Sequence, residues 1–449
     1  HVNSIYFLTM NIGGDGQDVW PWIGKPDPKG SPKNDDLHFD VGKLAQWEIV
    51  FAHAQRKGIA MQVVFNEAEE ANKRELDDGE LGVERKLYYR EMIARFGHHP
   101  AVEWNLCEEY NIGGFNFGPD RVRAFARYVR EVDPYDHPLT VHSAGDPVKA
   151  LAFSFGDPNI DSTSVQLNQR RIDLVAEALR AATAKAGKPL PVMLDEFTVD
   201  KGDNASHVPR DDPELQRKQK LWPTYLSGGS IEFILEGFLD VDSFKTPARE
   251  ALWNYVWHAR AFLEELPFWE MAPDDRLARG GATIDVGVGK GKTTPMGPQV
   301  LAKPGRVYAV YLPKAEPSGE LDLSGPSHDY TRRWYNPRTG AFEGDPARVA
   351  GGGWTAIGAP PRDPGEDWVV LFEAAEKLAD SPLGRVERVH LGRVQRRRVG
   401  MTRESRPTGS DALAAGGASS RGTAFAPGEG GGEAEYGPRG GLGNLIDGR

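Results

Sequence analysis

The stretch AVEWNLCEEYN, residues 101–111, begins as a buried β-strand and ends on two adjacent carboxylates, Glu108 and Glu109. Burying unpaired charge is costly, so an apolar strand that runs directly into two like charges marks a strand end where those charges are used. Parallel strands covered by helices read as continuous apolar runs, and their functional residues gather at the C-terminal ends.

Working outward, the same unit recurs. SIYFLTMN (4–11), IAMQVVFNE (59–67), PLTVH (138–142), DSTSVQL (161–167), PLPVML (189–194) and SIEFIL (230–235) read as further strands. Helical periodicity lies between them. Leu44, Trp47, Phe51 and Ala54 share one face and stop at Gly58; a second helix covers about 83–96 and stops at Gly97. Pro119 opens the stripe Val122, Phe125, Val129, Val132; Ile172, Val175, Leu179 and Ala182 stop at Gly187; Thr246-Pro247 opens a last helix through Leu252, Tyr255, Ala259 and Phe262. These spacings are those of amphipathic helices between buried strands. About seven strands alternating with helices predict a (β/α)8 TIM barrel over residues 1–270, lacking one strand at its N-terminus.

Glycine-rich nucleotide fingerprints do not favour a doubly wound sheet. GGDG at 13–16 lacks the G-x-G-x-x-G spacing, and VGVGKGKTT at 286–294 has Val286 where a P-loop needs its first glycine and Pro295 where its helix would run. Residues 282–374 change character. QVLAKP, RVYAVYLP, ELDLS, YTRRWYNP, WTAIGAP and DWVVLFE are short strands separated by turn residues, and predict an antiparallel β-sandwich. The Gly-, Ala- and Ser-rich stretch 378–449, with its basic run RVERVHLGRVQRRRVG, reads as a disordered tail.

The 449 residues carry a net charge of −11 and one cysteine. The acidic balance excludes a general nucleic-acid binder, which needs clustered Lys and Arg. No apolar run reaches the roughly 18–20 residues that span a bilayer. Cys107 alone makes no internal disulfide, so cysteine usage leaves the compartment open. No signal peptide is visible after His1. Composition is silent on oligomeric state.

The predicted strand ends offer Asn11, Asn66-Glu67, Glu108-Glu109, His142, Gln166, Asp195-Glu196 and Glu236. This set holds no serine elbow, no Cys-His pair and no H-E-x-x-H. Asp15, Asp18, Asp200 and Asp203 lack the spacing of an EF-hand, so no metal or organic cofactor is expected. Paired carboxylates across a cleft are what glycoside hydrolysis requires. Glu109 and Glu196 lie beyond strands three apart in the count and are the expected catalytic pair. Strand alternation predicts that only one residue of each tandem, Glu108-Glu109 and Asp195-Glu196, faces the cleft. A close Glu108 carboxylate would help Glu109 hold a proton by like-charge repulsion. Trp20 and Trp22 are candidates to stack on sugar rings. Asn11, Asn66, Glu67, Glu108, His142 and Glu236 are candidates to bind substrate. His98 and His99, at a helix end before Pro100, read as structural.

Several stretches then resemble a known family. FLTMNIGGDGQDVWPW, GELGVERKLYYREMIARFGHHPAVEWNLCEEYN, DPYDHPLTVH and PFWEM are similar to a bacterial family of TIM-barrel proteins related to clan A glycoside hydrolases and, more distantly, to apiosidase-like enzymes. LAKPGRVYAVYLP, ELDLSG and RWYNPRTGAFEG resemble a β-sandwich described as the collagen-binding domain of a collagenase. The resemblance spans about residues 3–374. It implies a glycosidase whose acid/base follows barrel strand 4 and whose nucleophile follows strand 7. With the first strand absent, those positions fall on Glu109 and Glu196. The clan places Asn before the acid/base, where this chain has Glu108, which leaves Glu108 as an alternative acid. The resemblance also implies a preceding β-domain, so the chain reads as truncated. The expected function is retaining hydrolysis of a poly- or oligosaccharide through two Glu residues. The alternatives are a non-catalytic glycan binder, or a matrix-binding protein acting through the sandwich.

Overall fold

The computed structural model describes residues 3–12, 19–27, 29, 34–168, 171–198, 212–232, 247–289, 292–325 and 328–375, all within one compact unit, His1–Ala379. Glu236, Asp15, Asp18, Asp200, Asp203 and the stretch 378–449 lie outside the described residues.

The first part alternates strands and helices. Its strands are β1 (Ser4–Leu8), β2 (Ala60–Val64), β3 (Val102–Asn105), β4 (Leu139–Thr140), β5 (His142–Ser143), β6 (Thr163–Asn168), β7 (Val192–Thr198) and β8 (Gly229–Ile231). Only Val141 separates β4 from β5, so the eight segments occupy seven strand positions. Pairing is parallel and sequential, β1-β2-β3-β4 and then β5-β6-β7-β8.

The helices are α1 (Val41–Arg56), α2 (Glu70–Glu75), α3 (Val83–Phe96), α4 (Gly118–Val132), α5 (Pro147–Ala150), α6 (Ile172–Lys185), α7 (Pro213–Gln216), α8 (Trp222–Leu226) and α9 (Pro247–Glu264). Their ends follow local chemistry. The Asp40 carboxylate caps α1 by accepting from the Gly42 and Lys43 N–H groups, and Gly58 leaves the helix at φ +70°, where a side chain would be strained. Leu44, Phe51 and Ala54 face inward, and Phe51 meets Phe7 of β1 and Phe96 of α3 edge to face. Burying the Leu44 or Phe51 side chain contributes about 1.5–3 kcal/mol by removing it from water.

The strand layer is strongly curved. Gln62 of β2 donates to Asp195 of β7 at 3.2 Å, although the two strands stand four positions apart. A flat sheet with strands about 4.8 Å apart would separate them by roughly 19 Å. Asn105 of β3 donates to the Gln62 carbonyl at 3.0 Å, and Ser164 of β6 donates to Asp195, so a polar chain crosses the concave face. Glu232, just after β8, lies close enough to Ser4 of β1 for the serine to influence its carboxyl, which brings the two ends of the series near each other.

The second part is antiparallel. A six-stranded sheet has the order β17 (Ala341–Ala350), β16 (Asp329–Asn336), β19 (Trp368–Ala374), β14 (Val307–Leu312), β13 (Gln299–Lys303) and β9 (Ala272–Pro273). A three-stranded sheet comprises β10 (Ala278–Arg279), β15 (Glu320–Asp322) and β18 (Trp354–Ala356); β11 (Ile284–Gly289) and β12 (Lys292–Met296) form a separate pair. Leu321, Leu323 and Ile357 share a core with Val310, Trp334 and Val370 between the first two sheets. The other face of the large sheet packs on the helices. Tyr311 stacks on Trp222 of α8 at 5.7 Å, and Arg217 grips Asp367 through two bonds of 3.0 and 2.9 Å in a pair 1% and 0% exposed.

Candidate active site

The tandem Glu108-Glu109 sits in a turn fixed from three sides. The Glu108 N–H donates to the Asn66 carbonyl at 2.8 Å, from the loop after β2. The Glu109 N–H donates to Nδ1 of His142 at 3.2 Å, while the His142 N–H donates to the Cys107 carbonyl and the Tyr110 N–H returns to the His142 carbonyl. Lys73, fully buried, donates to the carbonyls of Glu109 and Ile112, both at 2.9 Å. Burial pulls its ammonium below the usual range, against the opposing field of Cys107, Glu109, Glu69 and Glu108. These bonds hold Glu109 at φ 42°, a left-handed conformation that a side chain adopts only under such constraint.

The consequence is a different partner from the one expected. One donor atom each from Glu108, His142 and Glu196 lies within 4.8 Å of the other two, and Glu109 does not belong to this group. The sequence favours Glu109 as the partner of Glu196 and leaves Glu108 as the alternative; Glu108 is the residue of the tandem that the structure groups with His142 and Glu196. Both Glu108 and Glu196 are half-buried.

A second departure occurs on β7. Val165 pairs with Leu194 and Gln166 with Glu196, so Asp195 is the extra residue of a β-bulge. Strict alternation predicted that Asp195 would turn outward to the helices. The bulge suspends it: Asp195 bonds Gln62 and Ser164 on the concave face, while Glu196 joins Glu108. Burial raises the Asp195 carboxyl above its ordinary range despite both bonds. Glu103, two residues before Asn105, is raised to about 7 by burial although Ser162 donates to it.

His142 is fully buried, and burial lowers it to about 3. Two carboxylates at this range would by themselves favour the imidazolium. The hydrogen bond decides the matter: an Nδ1 that accepts from the Glu109 N–H carries no proton, so the ring is neutral with its proton on Nε2. That Nε2 is buried and has no hydrogen-bond partner. The Tyr6 hydroxyl of β1 is likewise buried without a partner. Burial first, then the fields of Glu108, Asp195, Glu196 and Glu232, push it well above the phenol range, so it stays protonated. Two unsatisfied O–H and N–H donors beside two carboxylates suit a polyhydroxylated ligand. Sequence reasoning missed Tyr6. Its only signal is a hydroxyl-bearing residue inside the apolar strand SIYFL.

Several other candidates have contacts with the scaffold. Asn66 is buried, donates to Asn72 and accepts from Arg85 at 2.6 Å. Asn11 accepts the Val19 N–H at 2.9 Å. Glu67 is 1% exposed, and its N–H donates to Asn72. The sugar-platform expectation fails for Trp22, which is 0% exposed and stacks on Phe39 at 5.6 Å and beside Tyr88 at 5.3 Å. Trp20 is 5% exposed and lines a cavity of about 640 Å³ with Phe7, Trp47, Lys25 and Lys43. Phe7 and Tyr6 point to opposite faces of β1, so this cavity lies behind the strand and away from Glu108 and Glu196.

No protein-family model matches the chain, and no curated protein matches it. Solved structures do. A glycoside hydrolase aligns with a TM-score of 0.59 at 15% identity, covering 84% of this chain and 86% of its own. A glycoside hydrolase family 5 structure from Bacteroides vulgatus gives 0.55 at 15% identity, with 77% of each chain covered. A third structure from the same organism, provisionally assigned as a glycoside hydrolase, gives 0.55 at 13% identity over 83% of this chain and 73% of its own. The likeness is one of fold: this chain shares a mixed α/β architecture of parallel strands and antiparallel sheets with glycoside hydrolases.

Proposed function

We propose that the protein is a retaining glycoside hydrolase in which Glu196 is the nucleophile and Glu108 the acid/base. The observation that carries this reading is the approach of Glu108, His142 and Glu196 to within 4.8 Å at the C-terminal ends of parallel strands. Retention calls for carboxyl groups about 5–5.5 Å apart, and inversion for about 6.5–9.5 Å. The approach fits the shorter spacing. Carboxylates this close repel, which favours the state with one proton between them. Glu196 then attacks the anomeric carbon as Glu108 gives its proton to the leaving oxygen; Glu108 next takes a proton from the water that releases the sugar. The Nε2–H of His142 and the hydroxyl of Tyr6 hold sugar oxygens. The substrate is a poly- or oligosaccharide.

In this reading the seven described strand positions belong to a (β/α)8 barrel, and the antiparallel sheets are a sandwich packed on its helices. The Gln62–Asp195 contact supports the closure. A matrix-binding role has less surface to use, since one face of the large sheet is covered by α8 and α9. The test is a panel of aryl glycosides and polysaccharides with wild type and Glu196→Ala. Hydrolysis that Glu196→Ala lacks supports the proposal. Equal rates in both proteins overturn it.

A further inference from the structure

A second cluster lies at the opposite ends of the strands. Glu48 of α1 meets His98 and His99, which lead from α3 into β3. We propose that these three residues bind one divalent transition-metal ion of the zinc type. Nε2 of His98 is 3.4 Å from one Glu48 carboxylate oxygen, and Nε2 of His99 is 3.2 Å from the other. Two ligands held at about 2.0–2.1 Å on a tetrahedral zinc ion are themselves about 3.3 Å apart.

The far side of each ring makes the case specific. Nδ1 of His98 lies 2.8 Å from the Arg95 carbonyl, and Nδ1 of His99 lies 2.7 Å from the Gln55 side-chain carbonyl. Carbonyls only accept, so both Nδ1 atoms carry protons. In the neutral rings each Nε2 therefore turns a lone pair toward the carboxylate. This is how metal-ligating histidines are held, with the distal N–H on a carbonyl that fixes the tautomer. Lone pairs facing a carboxylate repel unless a cation stands between them. The two rings lie with centroids 4.1 Å apart, so one metal ion can reach both Nε2 atoms. The Glu108–His142–Glu196 group offers no such site, since its imidazole Nδ1 is taken by the Glu109 N–H and its Nε2 carries the proton.

His99 is 1% exposed, while His98 and Glu48 are 49% and 39% exposed, so the site is anchored on the protein side and reachable from solvent. Two imidazoles and one carboxylate suit zinc, copper or nickel over magnesium or calcium. Bound there, the ion ties α1 to the entry of β3, about fifty residues away in the chain.

The test uses the full chain, stripped with EDTA and dialysed. Zinc chloride is titrated calorimetrically into wild type, Glu48→Gln and His98→Ala, and thermal unfolding is recorded with and without the salt. The expected result is one ion per chain in wild type, at least ~10-fold weaker binding in each variant, and a zinc-dependent rise in Tm that shrinks with it. Magnesium chloride should leave Tm unchanged. Wild type without stoichiometric zinc binding overturns the proposal, as does undiminished binding in both variants, which would place the ion elsewhere.

Discussion

His142 gives a prediction that can be worked to a magnitude. Its imidazole is fully buried, is lowered by burial to about 3 from the ordinary histidine value of about 6.5, and accepts a hydrogen bond only a neutral ring can accept. A base whose pKa is depressed on folding takes its proton more readily in the unfolded chain. Its contribution is therefore intact above about pH 6.5 and is lost as pH falls toward 3. Linkage between these two values costs the native state about 3 kcal/mol at pH 4 and under about 0.2 kcal/mol at pH 7. The perturbation is His142→Asn, which does not titrate and keeps an acceptor for the Glu109 N–H. Urea unfolding of both proteins at pH 7 and pH 4 reads the effect. Wild type should lose about 3 kcal/mol more than the variant between the two pH values. Buried carboxyls such as Glu103, which push the other way, are common to both and cancel. Equal losses would mean that His142 is charged in the native site at pH 4, and the neutral ring that accepts from the Glu109 N–H at Nδ1 would have to be abandoned.

Two further substitutions probe the frame and the site. Arg217→Met strands a buried Asp367 carboxylate and should cost about 3–5 kcal/mol in chemical denaturation, most of it recovered by adding Asp367→Leu. Tyr6→Phe removes a buried hydroxyl that has no protein partner, so stability should hold or rise while glycoside turnover falls; unchanged turnover would remove Tyr6 from the substrate site.

Period and punctuation made much of the frame legible. The stripe Leu44–Ala54 with its Gly58 stop became α1, Val83–Phe96 ended at Gly97, and Pro119 and Gly187 bounded α4 and α6. The seven apolar runs became seven strand positions, and the count correctly set Glu196 three positions beyond the Glu108-Glu109 tandem. The side of the strand each carboxylate faces was not legible. That depends on a bulge at Asp195 and a left-handed residue at Glu109, neither of which has a composition signal. Burial also reassigned polar candidates: Asn66 is taken by Arg85, and Trp22 by Phe39 and Tyr88. No strand was expected over 341–350, which holds Gly344 and Pro346; β17, an edge strand paired to β16 among the described residues, tolerates both.

The most direct measurement traps the covalent step. An aryl glycoside with a good leaving group needs no acid to form the glycosyl-enzyme, but its release still needs the base. After incubation of Glu108→Gln with such a substrate of the wild-type enzyme, intact-mass and peptide mass spectrometry should find one glycosyl unit on the peptide containing Glu196. Glu109→Gln should turn over without accumulating it. An adduct that accumulates in Glu109→Gln instead, or that sits on a residue other than Glu196, would contradict the assignment.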